Sequence, residues 1–383
     1  MVEISEQTTA RWWSAAAVGA GVIALCYGFA RYAYGLFVPR FGATFGLTTV
    51  GIGVLGGLST AGYGVGLLLS LRTATRSALG TVLVAGALAA AGLGLMAAAP
   101  SVAVFAAGIV LAGGSAGLVS PGVAQLIGQT VDARHLVRAQ TWANTGTGLG
   151  LAASAFTPLL AFGWPLIWAG FAALAVLMTA LAWRMLPRAP AVDEVPASVR
   201  GLTPLLINSV LIGVTSAPYW TFSSSRVTAT GLSSTEATWC WFTIGVAGLL
   251  GGLAGRAAER FGLRTANLVT WTLAAAGLAL LALPRPGLAG ALLSGALFGS
   301  TYLALTGLCI LWAARLFATR PARGVTWSFV GLGVGQTVAS PLAGAAASGI
   351  GTAAVFGLAG LAALAGWSQL DARLAPPGSR AGG

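Results

Sequence analysis

RAQTWANTGTGLG at residues 138–150 and RGVTWSFVGLGVG at residues 323–335 decide how this chain is organised. Arg138, Thr141, Trp142, Gly146, Gly148 and Gly150 return as Arg323, Thr326, Trp327, Gly331, Gly333 and Gly335, each 185 residues later. The same shift carries Gly114-Ser115 onto Gly299-Ser300, Tyr34 onto Tyr219, and Gly46-Leu47 onto Gly231-Leu232. A single match is within the reach of chance, but a series at one offset is the mark of an internal duplication.

Outward from the two stretches, the duplicated unit is a set of apolar runs. They lie near 13–38, 48–71, 77–99, 101–126, 139–162 and 164–186 in the first copy, and near 203–223, 235–256, 266–284, 287–312, 324–347 and 350–370 in the second. Each is close to the ~20 apolar residues that a helix needs to cross a bilayer. RAPAVDEVPASVRG, residues 188–201, separates the copies. The fold class expected is therefore an all-α integral membrane protein with twelve transmembrane helices. An even number per copy makes both halves enter the membrane in the same direction, so the halves form two parallel six-helix bundles. The expected boundaries are a cytoplasmic tail at 1–12, bundles at 13–186 and 203–371 joined by a linker at 187–202, and a disordered cytoplasmic tail at 372–383.

Composition agrees. Only 7% of residues are charged, 57% are hydrophobic and the mean hydropathy is +0.86. That is too little charge to cover a water-soluble surface. The formal net charge of +12 would suggest nucleic acid in a soluble protein, but here the basic residues report topology. With the amino terminus inside, Arg72, Arg76, Arg134, Arg138, Arg256, Arg260, Arg264, Arg315 and Arg323 fall on the cytoplasmic side. Only Arg40, Arg226 and Arg285 fall outside, and Arg31 lies within a span. Both termini are thus expected in the cytoplasm of a bacterial cell, since arginine without lysine beside abundant Ala, Gly and Pro fits a GC-rich genome. The first apolar run is too long for a signal-peptide core and is expected to remain as the first span.

Enzymatic chemistry finds little support. Cys26, Cys240 and Cys309 all sit in apolar runs, which argues against a disulfide framework or a metal site. His135 is the only histidine, which excludes most His-based metal or triad chemistry. GLGLA at 148–152 has no strand before it and does not make a dinucleotide loop. No cofactor is expected. Glycine pairs Gly53/Gly57, Gly62/Gly66 and Gly248/Gly252 have GxxxG spacing, which lets helix backbones approach closely in lipid.

GGLAGRAAERFGLR at 251–264 follows the eighth run. It resembles the cytoplasmic loop signature of the major facilitator superfamily, and the resemblance extends over essentially the whole chain. On that likeness Gly251, Gly255, Arg256, Glu259, Arg260, Gly262 and Arg264 form a cytoplasmic gate, and Arg72 and Arg76 occupy its counterpart in the first half. LLLSLRTATRSALG at 67–80 of that first half carries no acid, which departs from the pattern. The antiporter signature is also incomplete: Gly146 and Gly150 are present, but Leu151 follows and the next proline is Pro158.

An ionisable residue inside a span is costly and points to function. Arg31, in FARYAYGLF, either lines a substrate cavity, where it would favour an anionic or polar solute, or snorkels to the outer interface. Tyr27, Tyr32 and Tyr34 surround it, and Tyr219 and Trp220 occupy the matching part of the seventh run; each belongs to a cavity or to an interfacial aromatic belt. Asn144, Tyr302 and Gln336 are further cavity candidates. Glu236, near the outer end of the eighth run, is the one acid positioned to exchange a proton near a cavity. The expected function is secondary transport of a small organic solute, with or without a proton, by alternating access, and with efflux favoured. Uptake of an anionic metabolite and a non-transporting sensor on the same fold are the alternatives. The expected partners are the solute and the lipid bilayer, with no nucleic acid, and the protein acts as a monomer.

Overall fold

Short polar side chains set where several helices begin. Thr48, Ser77 and Ser101 each accept a hydrogen bond from the backbone N–H three residues on, and Ser233 with Glu236 completes a capping box. Glycines in the left-handed region end or break others: Gly46 has φ 61° and Gly262 has φ 84°. The computed structural model describes residues 2–188, 191, 202–317 and 321–370, and among these the regular structure is helical throughout. Most of the expected linker and the tail at 372–383 lie outside the described residues. Residues 2–12, expected as a tail, continue the first helix.

Eleven helical elements result. α1 spans residues 2–45, with a π-helical segment Ala24–Tyr32 between α-helical Val2–Ile23 and Ala33–Phe45. α2 is Thr49–Arg76, α3 Ala78–Ala97, α4 Val102–Thr130, α5 Ala133–Ala155 and α6 Trp164–Met185. α7 is Leu202–Ala229 and α8 is Ser234–Phe261, which tightens to a 3-10 turn over Leu249–Leu253. α9 is Leu263–Ala282, α10 Gly287–Leu316 and α11 Pro321–Leu364.

Ten of these are long and apolar enough to cross a membrane, against the twelve spans expected. The difference has two sources. α5 carries Arg134, His135, Arg138, Gln140 and Asn144 in its first half and is less apolar than the rest. The expected eleventh and twelfth spans run together in α11, which breaks at Gly351, where φ 82° and ψ 156° leave the helical region.

The duplication recurs in the packing. A Cβ on Gly28 of α1 would meet the Gly150 Cα of α5 at 2.5 Å, and one on Gly213 of α7 would meet the Gly335 Cα of α11 at 2.9 Å. These two pairs are related by the same 185-residue shift. The GxxxG glycines divide their work. Gly62 and Gly66 pack α2 against Val110 and Gly114 of α4, whereas Gly53 and Gly57 pack it against Ser340, Gly344 and Pro341 of α11. Gly248 meets Leu303 of α10, but Gly252 faces open space. Contacts between the two sequence halves run through α2 with α11, α5 with α8, and α1 with α7. The closest approach of α2 to α11 lies at the end of α2 remote from Arg72 and Arg76.

Candidate functional site

The π-helical segment of α1 brings Arg31 to the middle of this packing. Bonding from residue i to i+5 widens the turn, and such segments concentrate at functional sites. Gly28, held against Gly150, lets the widened turn press on α5. Arg31 is buried, with 4% of its surface exposed. Its Nη2 donates to Gln336 Oε1 of α11 at 2.6 Å, across 305 residues of sequence. Its Nη1 donates to Tyr32 Oη at 3.2 Å, and the Tyr32 and Tyr302 hydroxyls share a hydrogen bond of 3.2 Å. Gln336 Nε2 in turn donates to Ser216 Oγ of α7 at 3.0 Å. One polar chain thus joins α1, α7, α10 and α11.

A buried charge requires compensation. The guanidinium carbon lies 3.9 Å from the centre of the Tyr63 ring, 4.9 Å from Tyr32 and 5.9 Å from Tyr27, all within cation–π reach. No carboxylate joins it among the described residues. Asp132 and Glu236 stand at helix starts, and Glu259 lies two residues from the end of α8. Arg31 Nε has no hydrogen-bond partner, nor have the indole N–H groups of Trp220 and Trp241. Trp220 stacks on Tyr32 at 4.0 Å and meets Trp241 edge-on at 5.9 Å and Tyr302 at 5.1 Å. These three unpartnered groups at and beside the centre are all donors. Tyr32, Thr147, Leu151, Trp220, Tyr302 and Leu303 line a cleft there with no room for a water molecule.

Of the residues singled out from sequence, Arg31, Tyr27, Trp220, Tyr302 and Gln336 converge on this centre. Tyr27 also accepts from Ser120 of α4 at 3.3 Å. Tyr34 and Tyr219 lie elsewhere. Tyr34 donates to the Ile52 carbonyl and stacks beside Phe41, and Tyr219 bonds Ser294 and lies flat on Phe298 at 3.7 Å. Asn144 is exposed on α5, one turn nearer Arg138 than Thr147 and on the same face. Glu236 is exposed; its carboxylate accepts from the Ser233 N–H at 2.7 Å and from the Ser233 hydroxyl at 2.8 Å.

Of the expected gate residues, Arg72 and Arg76 lie in the last turns of α2, and Arg256, Glu259 and Arg260 in the last turns of α8. Gly262 supplies the positive φ between α8 and α9, and Gly251 packs tightly on Leu303 and Ala304. Arg72, Arg76, Arg256, Glu259, Arg260 and Arg264 are exposed, and Gly255 faces open space. Neither Arg256 nor Glu259 forms an ion pair among the described residues.

Sequence reading passed over Tyr63 and Ser216. The repeat held a signal for the second: Ser216 stands 185 residues after Arg31, and Gln336 stands 185 after Leu151. The duplicated positions at the centre are those where the copies differ in polarity. Tyr63 has no such signal, because it lies in an apolar run whose facing partner the sequence does not specify.

The chain matches, over residues 23–368, the family model described as the uncharacterised MFS-type transporter YbfB. No curated protein sequence matches it. Solved structures share its fold. A D-xylose–proton symporter superposes with a TM-score of 0.76 at 16% identity, covering 94% of this chain and 98% of its own. The nucleoside transporter NupG, in a point-mutant form, gives 0.72 at 12%, covering 92% and 100%. The human organic anion transporter MFSD10 (TETRAN) gives 0.69 at 15%, covering 94% and 99%. With the family match spanning nearly the whole helical body, the chain belongs to the YbfB-type family of MFS transporters, a multi-pass membrane protein and not an enzyme.

Proposed function

We propose that this transporter moves a small organic solute across the bacterial cytoplasmic membrane by alternating access. Two parallel bundles, residues 13–186 and 203–371, would rock about a site formed by Arg31, Tyr27, Trp220, Tyr302 and Gln336, with both termini in the cytoplasm. The observation that carries this is the Arg31–Gln336 hydrogen bond, a buried polar bridge between the halves at mid-helix depth. Twelve crossings are supported by the break at Gly351 and by the Gly28–Gly150 and Gly213–Gly335 pairs. Close glycine packing of α2 on α11 at the end remote from Arg72 and Arg76, with Arg256 and Glu259 in no ion pair among the described residues, fits a state open toward the cytoplasm. One chain contains the whole site, so a monomer suffices.

Efflux is the direction proposed. Uptake of an anionic metabolite is the second reading, and Arg31, without a carboxylate beside it, is what favours it. Glu236 is committed to its helix cap, which supports a cycle in which it carries no proton. The test is flux in proteoliposomes across a panel of labelled solutes, with and without a pH gradient, for the native protein and Arg31→Gln. Arg31-dependent flux of any solute supports the proposal. Binding of a solute with no flux under either gradient refutes it and favours a sensor.

A further inference from the structure

We infer that the solute is a monovalent organic anion with a planar apolar body, and that it crosses without a proton on a side chain. The inference rests on the transporter reading for flux, but its binding part stands independently of it. Three observations carry it. First, Arg31 is a buried cation met by ring faces, the Tyr32 hydroxyl and a neutral amide, with no carboxylate beside it among the described residues, so the site holds one positive charge in excess. A single negative charge brings it to neutrality, and a second would again leave a charge in a low-dielectric centre.

Second, three groups at and beside the centre are donors without a partner: Arg31 Nε, Trp220 Nε1 and Trp241 Nε1. Buried polar groups are ordinarily satisfied, so a cluster of orphaned donors calls for an acceptor-rich ligand. An oxyanion supplies several lone pairs in one plane, which suits a guanidinium whose Nε edge is free. The Gln336 carbonyl oxygen, accepting from Nη2 at 2.6 Å, already occupies one acceptor position of the kind an oxyanion would fill.

Third, the lining is aromatic. Trp220 stacks on Tyr32 at 4.0 Å and meets Tyr302 edge-on at 5.1 Å, so the groups that would meet the body of a solute beside Arg31 are ring faces and edges, which suit an unsaturated or aromatic body. Among the described residues no carboxylate stands beside Arg31 to carry a proton: Asp132 and Glu236 lie at helix starts and Glu259 near the end of α8. The charge that moves is then the solute's own, and an inside-negative membrane potential drives it outward, in agreement with efflux.

Benzenesulfonate is the probe, because it is a planar, permanently ionised monoanion that cannot cross lipid as a neutral acid. Benzenesulfonamide is its neutral counterpart. Binding to the purified full-length protein is followed by tryptophan fluorescence, with Trp220 as reporter. We expect saturable binding of the sulfonate, at least about tenfold weaker binding of the sulfonamide, and a loss of at least about tenfold in Arg31→Gln. Gln336→Glu, which places a carboxylate against the guanidinium, should fold and lose sulfonate binding, and so keeps the test valid if Arg31→Gln does not fold. Equal binding of sulfonate and sulfonamide, unchanged binding in either variant, or no response to millimolar sulfonate overturns the inference. In vesicles at equal pH, an inside-negative potassium diffusion potential should accelerate sulfonate efflux. Flux that follows a pH gradient and ignores the potential overturns the proton-free part. Arg31-dependent binding without flux leaves the anion site standing and refutes transport instead.

Discussion

Gly28→Ala isolates the contact on which the position of Arg31 depends. A Cβ at Gly28 would lie 2.5 Å from Gly150 Cα and 2.6 Å from the Gly150 carbonyl oxygen, closer still to the carbonyl carbon. All three are backbone atoms, so no side chain can swing aside. Carbon atoms pack at about 3.5–4.0 Å, so α1 and α5 must separate by about 1 Å. Overpacking of this kind costs about 1–3 kcal/mol, and the helix propensity of Ala returns roughly 0.5–1 kcal/mol. The net loss of about 1–2 kcal/mol corresponds to a melting temperature lower by roughly 2–8 °C, from the per-kcal shifts seen in chains of 150–250 residues. The assay is thermal unfolding of the purified protein in detergent, with Gly170→Ala as control, since a Cβ there meets nothing within 4 Å. Gly213→Ala, at the equivalent place in the second half, should fall with Gly28→Ala, because its Cβ would meet Gln336 N at 2.8 Å. Gly28→Ala should also weaken solute binding, since the π-helical turn that aims Arg31 must move. If Gly28→Ala melts within a degree of the native protein and of Gly170→Ala, the close-packed α1–α5 seam is refuted.

Three further outcomes follow from named contacts. Arg226 donates from Nε to the Leu281 carbonyl at 2.8 Å and from Nη2 to the Leu283 carbonyl at 2.6 Å, satisfying the end of α9. Arg226→Gln should lower stability by about 1–3 kcal/mol, read by thermal unfolding, and leave solute affinity intact. Glu236→Gln removes the carboxylate of the capping box; the melting temperature should drop slightly while the pH profile of flux stays unchanged, and a shifted profile would restore Glu236 as a coupling group. Tyr219→Phe loses the bond to Ser294 but keeps the stack on Phe298. It should bind solute as the native protein does, whereas Tyr302→Phe, which cuts the hydroxyl link to Tyr32, should bind it more weakly in the same fluorescence titration.

Much of the fold was legible before any coordinates. Hydropathy, the sided arginines and the 185-residue offset are properties of position along the chain, and they specify helices and an internal repeat without reference to contacts. The α5 region shows the limit of that reading: its apolar stretch is interleaved with Arg138, Gln140 and Asn144, so the helix is present but its hydropathy is weak. The break at Gly351 lies within a few residues of the boundary expected between the runs ending at 347 and starting at 350, but only backbone geometry shows which glycine there adopts the positive φ.

The site was legible only as candidates. Tyr34 and Tyr219 are equivalent by the repeat, yet both are engaged in local packing, while Tyr63 stands 3.9 Å from the guanidinium. What a side chain faces depends on the rotation of its helix, and the π-helical turn at Ala24–Tyr32 changes that rotation within α1. By itself the sequence determined the class, the repeat and the presence of a lone arginine in an apolar run, because each depends on composition and spacing. Only the tertiary structure decided that Arg31 points inward to Gln336 rather than to the membrane surface. That choice belongs to residues 305 positions apart, whose meeting is set by how closely glycine lets one backbone approach another.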